Sequence, residues 1–238
     1  REMPPVRGRR ATRLLAAAVL GGLVSRAAAQ QAGRLQKEMQ PALTMEFCER
    51  SGCMLERVRV VMDMDWRWLH SKDGDRSCMR DGAWDPELCP DPVTCARNCA
   101  LEGVDDRGYR ERFLVRTAGA AVQLTYPQAP RVYMTESSGD RYKVFKLLNR
   151  EISFDVDLTR LPCGMGSALF LVEMPPDGFQ GRDNKVGARY GAGYCDARCP
   201  RQRFIRDRAN MPTLAAGLAG DARGRYGICC AELDVLEA

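Results

Sequence analysis

Several features that would point to other functions are scarce or missing in this chain. Its 238 residues contain a single histidine, His70. Cys95/Cys99 and Cys195/Cys199 have CxxxC spacing, but one histidine and cysteines placed behind an apolar leader make a poor zinc site. No metal is expected. The longest apolar run, LLAAAVLGGLV, covers only about ten residues where about twenty are needed to span a bilayer, so no membrane partner is expected. Arginines are scattered among comparable numbers of Asp and Glu, with no basic run or helical stripe. That leaves no footprint for phosphate, and no nucleic-acid partner is expected. Internal repeats and low-complexity linkers are absent from residues 30–238, which favours one domain.

The beginning of the chain is organised differently from the rest. VRGRRATR, then LLAAAVLGGLV, then SRAAAQ give a basic stretch, an apolar run and small residues before Gln30, the three parts of a secretory signal over residues 1–29. The formal charge is +5, and residues 1–29 with six Arg and one Glu carry +5 by themselves. The remainder is formally neutral. Its 11 cysteines, following a secretory signal, read as disulfides formed in an oxidising, extracellular compartment.

From Gln30 onward the dominant period is two. In RVRVVMDMDWRW, Val58, Val60, Met62, Met64, Trp66 and Trp68 alternate with Arg59, Asp63, Asp65 and Arg67, as in a strand with one side facing water. EISFDVDL sets Ile152, Phe154, Val156 and Leu158 against Glu151, Ser153, Asp155 and Asp157, and AVQLTY alternates more briefly. SALFLVEM is nearly continuous in apolar residues, the pattern of a strand buried on both faces. KDGD, PPDG and LPCG supply turns between these runs. An all-β sandwich of antiparallel strands is the economical reading, with only short helical pieces near Cys95–Cys99.

The last residues, CCAELDVLEA, hold three carboxylates as ExDxxE. On a helix, Glu232 and Glu237 would stand about 140° apart and could not face one site. On a strand, Glu232 and Asp234 share a face while Leu233 and Val235 point into the opposite layer. Glu237 joins them only if the strand bulges, and bulges are common beside active sites. Retaining cleavage of a glycosidic bond requires such a set: one ionised carboxylate to attack the anomeric carbon and one protonated carboxyl to serve the leaving oxygen, about 5–5.5 Å apart. The triad alone is also what a solvated acidic surface looks like.

The surrounding stretches decide between these readings. QQAGRLQKE, MDMDWRWLH, LCPDPVTCARNC, ISFDVDLTRLPCGMGSALFLVEM, NKVGARYGAGYCDARCPR and YGICCAELDVLEA run in the order seen in glycoside hydrolase family 7, whose cellobiohydrolases and endoglucanases this sequence resembles over residues 30–238. The resemblance implies a concanavalin-like β-jelly-roll sandwich of two antiparallel sheets, with a cleft for a β-1,4-glucan chain and no cofactor. Residues 30–238 are then the N-terminal half of a catalytic domain, in a secreted, monomeric protein. It further implies Glu232 as nucleophile, Asp234 as its helper and Glu237 as general acid/base. Trp66 and Trp68 match sugar-stacking tryptophans, and Arg131, Tyr194 and Asp196 match residues lining the cleft. The implied disulfides are Cys48–Cys53, Cys78–Cys99, Cys89–Cys95, Cys195–Cys230 and Cys199–Cys229. Cys163 corresponds to a cysteine whose family partner lies in the second half of the domain, and Gly33 and Ala100 stand where a further family pair would be.

Three positions depart from the family pattern. Leu236 replaces a Trp within ExDxWE, Phe170 replaces a cleft Tyr, and Gly166 replaces an Asn near the nucleophile. The stretch between Asn210 and Tyr226 is also shorter than usual. These departures keep a second expectation alive, a non-catalytic glycan-binding protein that retains the aromatic platform without turnover. A secreted disulfide scaffold without sugar affinity is the third.

Overall fold

A computed structural model describes residues 30–181, 184–212 and 224–238. The expected signal over residues 1–29 and most of the short stretch before Tyr226 lie outside the described residues. Among the described residues the architecture is all-β, as the alternating patterns predict, with one short α-helix, Pro92–Asn98. Asp91 caps that helix by accepting from the Val93 and Thr94 amides, and Pro92 opens it where its missing N–H costs nothing. Among the described residues the strands form several small sheets rather than two large ones, and the strand–strand ladders are antiparallel except Gln31–Ala32 beside Cys99–Leu101.

The main scaffold is a three-stranded sheet. Ala42–Glu49 and Gly52–Met62 form a hairpin whose end is closed by the Cys48–Cys53 disulfide, and Val132–Glu136 pairs on the other side. Val58, Val60 and Met62 pack with Leu43, Tyr109, Phe113 and Val115 on one face, while Val61 packs with Tyr142 and Ala188 on the other. The strand is therefore buried on both sides near its end. A second core, around Met64, Leu69, Leu101, Tyr190 and Phe204, includes the sulfurs of Cys78, Cys89, Cys95 and Cys99. All five expected disulfides form, and Cys163 is free and exposed.

The RVRVVMDMDWRW alternation does not continue as one strand. The ladder stops at Met62, Asp63 caps a 3-10 turn over Met64–Trp66, and the chain re-enters a different sheet at Leu69–Ser71. Asp63 and Arg67, expected on the water-facing side, are buried. Burial is tolerable because each charge has a partner: Arg67 donates to Glu38 at 2.5 and 3.1 Å, and Arg131 donates to Asp63 at 2.9 Å. Tyr109 donates to the same Glu38, and burial pushes its phenol well above its ordinary range.

Two other strand expectations are corrected. EISFDVDL joins no strand ladder, and Ile152, Phe154 and Val156 are exposed, because no neighbouring strand lies beside it among the described residues. Within SALFLVEM, Ala168–Val172 does form a strand, but it pairs only with Glu232–Glu237 and is not buried on both faces. Leu233 and Val235 are likewise exposed instead of meeting an apolar layer. The AVQLTY strand, Ala121–Leu124, pairs with Val115–Ala118 but leaves Val122 and Leu124 exposed.

Candidate active site

The geometry of the site follows from one backbone irregularity. Val172, Leu171 and Phe170 pair with Glu232, Leu233 and Asp234, but Leu169 pairs with Leu236 and Ala168 with Glu237. Val235 is thus an extra residue, a β-bulge. Ala168, Phe170 and Val172 are alternate residues on one face of their strand, so Glu237, Asp234 and Glu232 opposite them share that face. A regular ladder would have turned Glu237 to the other side. All three carboxylates line one cleft of about 160 Å³ with Arg131, Phe170, Tyr194, Asp196 and Arg198.

Disulfides fix the cleft's second wall. Cys195–Cys230 and Cys199–Cys229 tie the segment before the carboxylate strand to the loop holding Asp196. Asp196 bridges Cys229 in parallel register, and its carbonyl accepts from the Cys230 amide at 3.2 Å. This clamp puts the Ala197 amide 2.8 Å from Glu232 Oε2, orienting that carboxylate. Limiting backbone freedom in this way pre-organises a site. Tyr194 is buried and donates to Asp196 Oδ2 at 2.6 Å. Burial and the adjacent Asp196 raise its phenol above the usual range, so the hydroxyl stays protonated as a donor.

Arg131 connects the cleft to the buried Asp63. Its guanidinium lies 3.6 Å from the Tyr194 ring centroid and 5.7 Å from that of Trp66. Burial works against the guanidinium's charge, but the Asp63 carboxylate outweighs it and keeps the cation in place. Asp63 also accepts from Tyr133 and Gln202. Burial and the same carboxylate push the Tyr133 phenol well up. Trp66, 40% exposed, presents an open ring beside Arg131. Trp68 does not line the carboxylate cleft, and its ring packs on His70.

Sequence reasoning missed two contributors. Asp63 read as a water-facing residue of a strand, and only the break after Met62 reveals it as the anchor of Arg131. Arg198 lies inside the GYCDARCPR stretch, which carries no local signal for a role, and its side chain reaches 3.8 Å from Glu237. Of the departures, Phe170 faces the cleft without a hydroxyl, and Gly166 sits where an added Cβ would come 3.2 Å from the Ala238 carbonyl oxygen. Leu236 is half-buried. Cysteine sulfurs do converge, as with Cys78, Cys89 and Cys99, but all three are oxidised in disulfides and are not available as thiolate ligands.

Comparison with known proteins extends this picture. The sequence profile described as Glycosyl hydrolase family 7 matches residues 32–238. A family 7 cellobiohydrolase from Daphnia pulex is 37% identical with a TM-score of 0.78, over 87% of this chain and 50% of that one. The native endocellulase EGI of Humicola insolens is 36% identical with a TM-score of 0.72, over 87% and 51%. A cellobiohydrolase from Melanocarpus albomyces, solved with cellotetraose, is 34% identical with a TM-score of 0.74, over 87% and 50%. The chain therefore spans about half the length of these solved structures and shares their jelly-roll fold over that half.

Proposed function

The chain belongs to glycosyl hydrolase family 7, and on that premise we propose that it carries the reacting carboxylates of a retaining β-1,4-glucan hydrolase. The observation that carries this reading is the bulge at Val235, which puts Glu232, Asp234 and Glu237 on one face of one cleft. Glu232, oriented by the Ala197 amide, attacks the anomeric carbon. Glu237 gives its proton to the leaving glycosidic oxygen as that C–O bond breaks, leaving a glycosyl ester on Glu232. Glu237, now a carboxylate, takes a proton from water, whose oxygen attacks the same carbon and releases Glu232. One water is consumed and the starting anomeric configuration is kept. Asp234 lies between the two in sequence on the shared face and helps keep them electrostatically unequal.

Trp66 and Trp68 serve as stacking platforms for glucose rings, and Arg131, Tyr194 and Asp196 supply polar contacts to the substrate. The protein acts outside the cell as a monomer, in keeping with its five disulfides. Among the described residues no helix is long and apolar enough to cross a membrane. The test is release of reducing sugar from cellulose, or of the phenol from an aryl lactoside, with Glu232→Gln as control; inactivity of the wild-type protein would sink the proposal. A second reading, glycan binding without turnover, draws on the openness of the cleft at Glu237, whose side chain is 70% exposed, and on Phe170. Oligosaccharide binding without hydrolysis would establish it.

A further inference from the structure

Trp68 stands on a buried His70–Glu102 pair that the carboxylate cleft does not use. The His70 ring packs against the Trp68 indole with centroids 4.3 Å apart and planes at 32°. His70 is 1% exposed and is the only histidine in the chain. Its Nδ1 lies 2.7 Å from the Ser71 carbonyl oxygen and 2.7 Å from that of Gly74, and its Nε2 lies 2.7 Å from Glu102 Oε2. Every one of these partners is an acceptor. A neutral imidazole has one donor and one acceptor nitrogen, so beside a Glu102 carboxylate that already accepts three amides, either tautomer would turn a lone pair toward another lone pair in a site shielded from water. The imidazolium donates from both nitrogens and satisfies all of them.

Glu102 is the counter-charge and also the mechanical tether. Its carboxylate accepts from the amides of Leu35 at 3.2 Å, Gln36 at 3.0 Å and Gly103 at 2.9 Å, besides His70. Its own amide donates to the Trp68 carbonyl at 2.9 Å. One residue therefore holds both the backbone of Trp68 and the ring beneath its indole. Gly33 leaves room for this, because a Cβ there would lie 2.4 Å from Glu102 Oε2. Across the ladder His70 faces Ala100, and on its other side it bridges Ser77. In the following turn, Lys72, Asp73 and Asp75 are exposed, and Arg76 is engaged by Asp85 and Glu87. Glu102 is the charged partner that reaches the ring.

A cation against an indole face is attracted by the ring quadrupole, more strongly where water is excluded. We propose that His70 is a positioning residue of the glycan platform: as a buried imidazolium braced by Glu102, it fixes the face that Trp68 presents to sugar. The proposal rests on the reading of Trp68 as a stacking platform.

The test uses the full chain labelled with 15N-histidine, where a single histidine gives a single ring spectrum. Two protonated ring nitrogens at pH 7 are expected; one protonated and one bare nitrogen would overturn the proposal. Cellotetraose binding by titration calorimetry supplies the second arm. His70→Gln is expected to weaken binding about tenfold. Glu102→Gln, which keeps side-chain shape and removes the charge, is expected to do the same. In a Trp68→Ala background each substitution should change Kd less than about twofold, because coupled residues give non-additive effects. An undiminished tenfold loss in that background, or unchanged Kd in both single variants, would overturn the proposal. If the wild-type chain binds no cellotetraose, the platform reading itself fails, and the histidine spectrum, which needs no sugar, tells that failure apart from a failure of the charged-base geometry.

Discussion

Asp63→Asn tests whether the buried carboxylate anchors the cleft's arginine. Asp63 is fully buried; its Oδ1 accepts from the Asp65 amide at 2.7 Å, and its Oδ2 accepts from Arg131 Nε at 3.2 Å, Arg131 Nη2 at 2.9 Å, Gln202 Nε2 at 3.2 Å and the Tyr133 hydroxyl. Asparagine has the same shape but can offer only one oxygen. Whichever way it turns, an NH2 group faces donors and the Arg131 charge loses its partner. Breaking one side of a buried pair costs about 3–5 kcal/mol. The Arg131 side chain retains 27% exposure, so water recovers part of that loss and the lower end, about 3 kcal/mol, is expected. For a chain of this size each kcal/mol moves the melting temperature by roughly 2–4 °C, giving a fall of roughly 6–12 °C. The assay is thermal unfolding with disulfides kept oxidised, and cellotetraose binding should weaken in the same variant. A fall under about 2 °C would refute the anchoring role.

Other outcomes follow from the same structure. Replacing Cys199 and Cys229 together by serine leaves Cys195–Cys230 closing the same segment, so the loop opened is effectively only about six residues and the cost in urea unfolding should be about 2 kcal/mol. Asp91→Ala should cost about 0.5–2 kcal/mol through loss of the helix cap. The Thr94 hydroxyl and amide hold the Asp91 carboxyl below its ordinary range, so its contribution is full above pH 3.8, the unperturbed value, and is lost as pH falls through the lower folded value; the variant and the wild type should converge in acid unfolding. Arg198→Ala removes an ion pair whose two side chains are largely exposed, and stability should change by less than about 0.5 kcal/mol. Trp66→Ala should weaken cellotetraose binding about tenfold in calorimetry, a ring contact being worth about 1 kcal/mol or more.

Local pattern revealed the strand content because alternation is a property of each segment alone. The strand carrying Glu232 and Asp234 and the turns follow from that kind of signal, and a short helix, Pro92–Asn98, lies where short helical pieces are expected, near Cys95–Cys99. The need for a bulge was also legible, since parity forbids Glu237 from sharing a face without one, and Val235 supplies it. Disulfide pairing came from the resemblance, because spacing alone leaves the connectivity open. What escaped was non-local. The alternation through Asp63 and Arg67 is identical whether those charges meet water or buried partners, and only Arg131 and Glu38, distant in sequence, decide it. Ile152, Phe154 and Val156 alternate as a strand face should, yet periodicity does not say whether a neighbouring strand is present to pair with them.

The most direct test of the account is the stereochemistry of first cleavage, followed by proton NMR on a cello-oligosaccharide for the wild-type protein, Glu232→Gln and Glu237→Gln. The β-anomer should appear first with the wild type. Glu232→Gln should release no product, and Glu237→Gln should be slowed about 10²–10⁴-fold. An α-anomer as first product, or unimpaired turnover by Glu232→Gln, would contradict the assignment of Glu232 and Glu237 as a retaining pair.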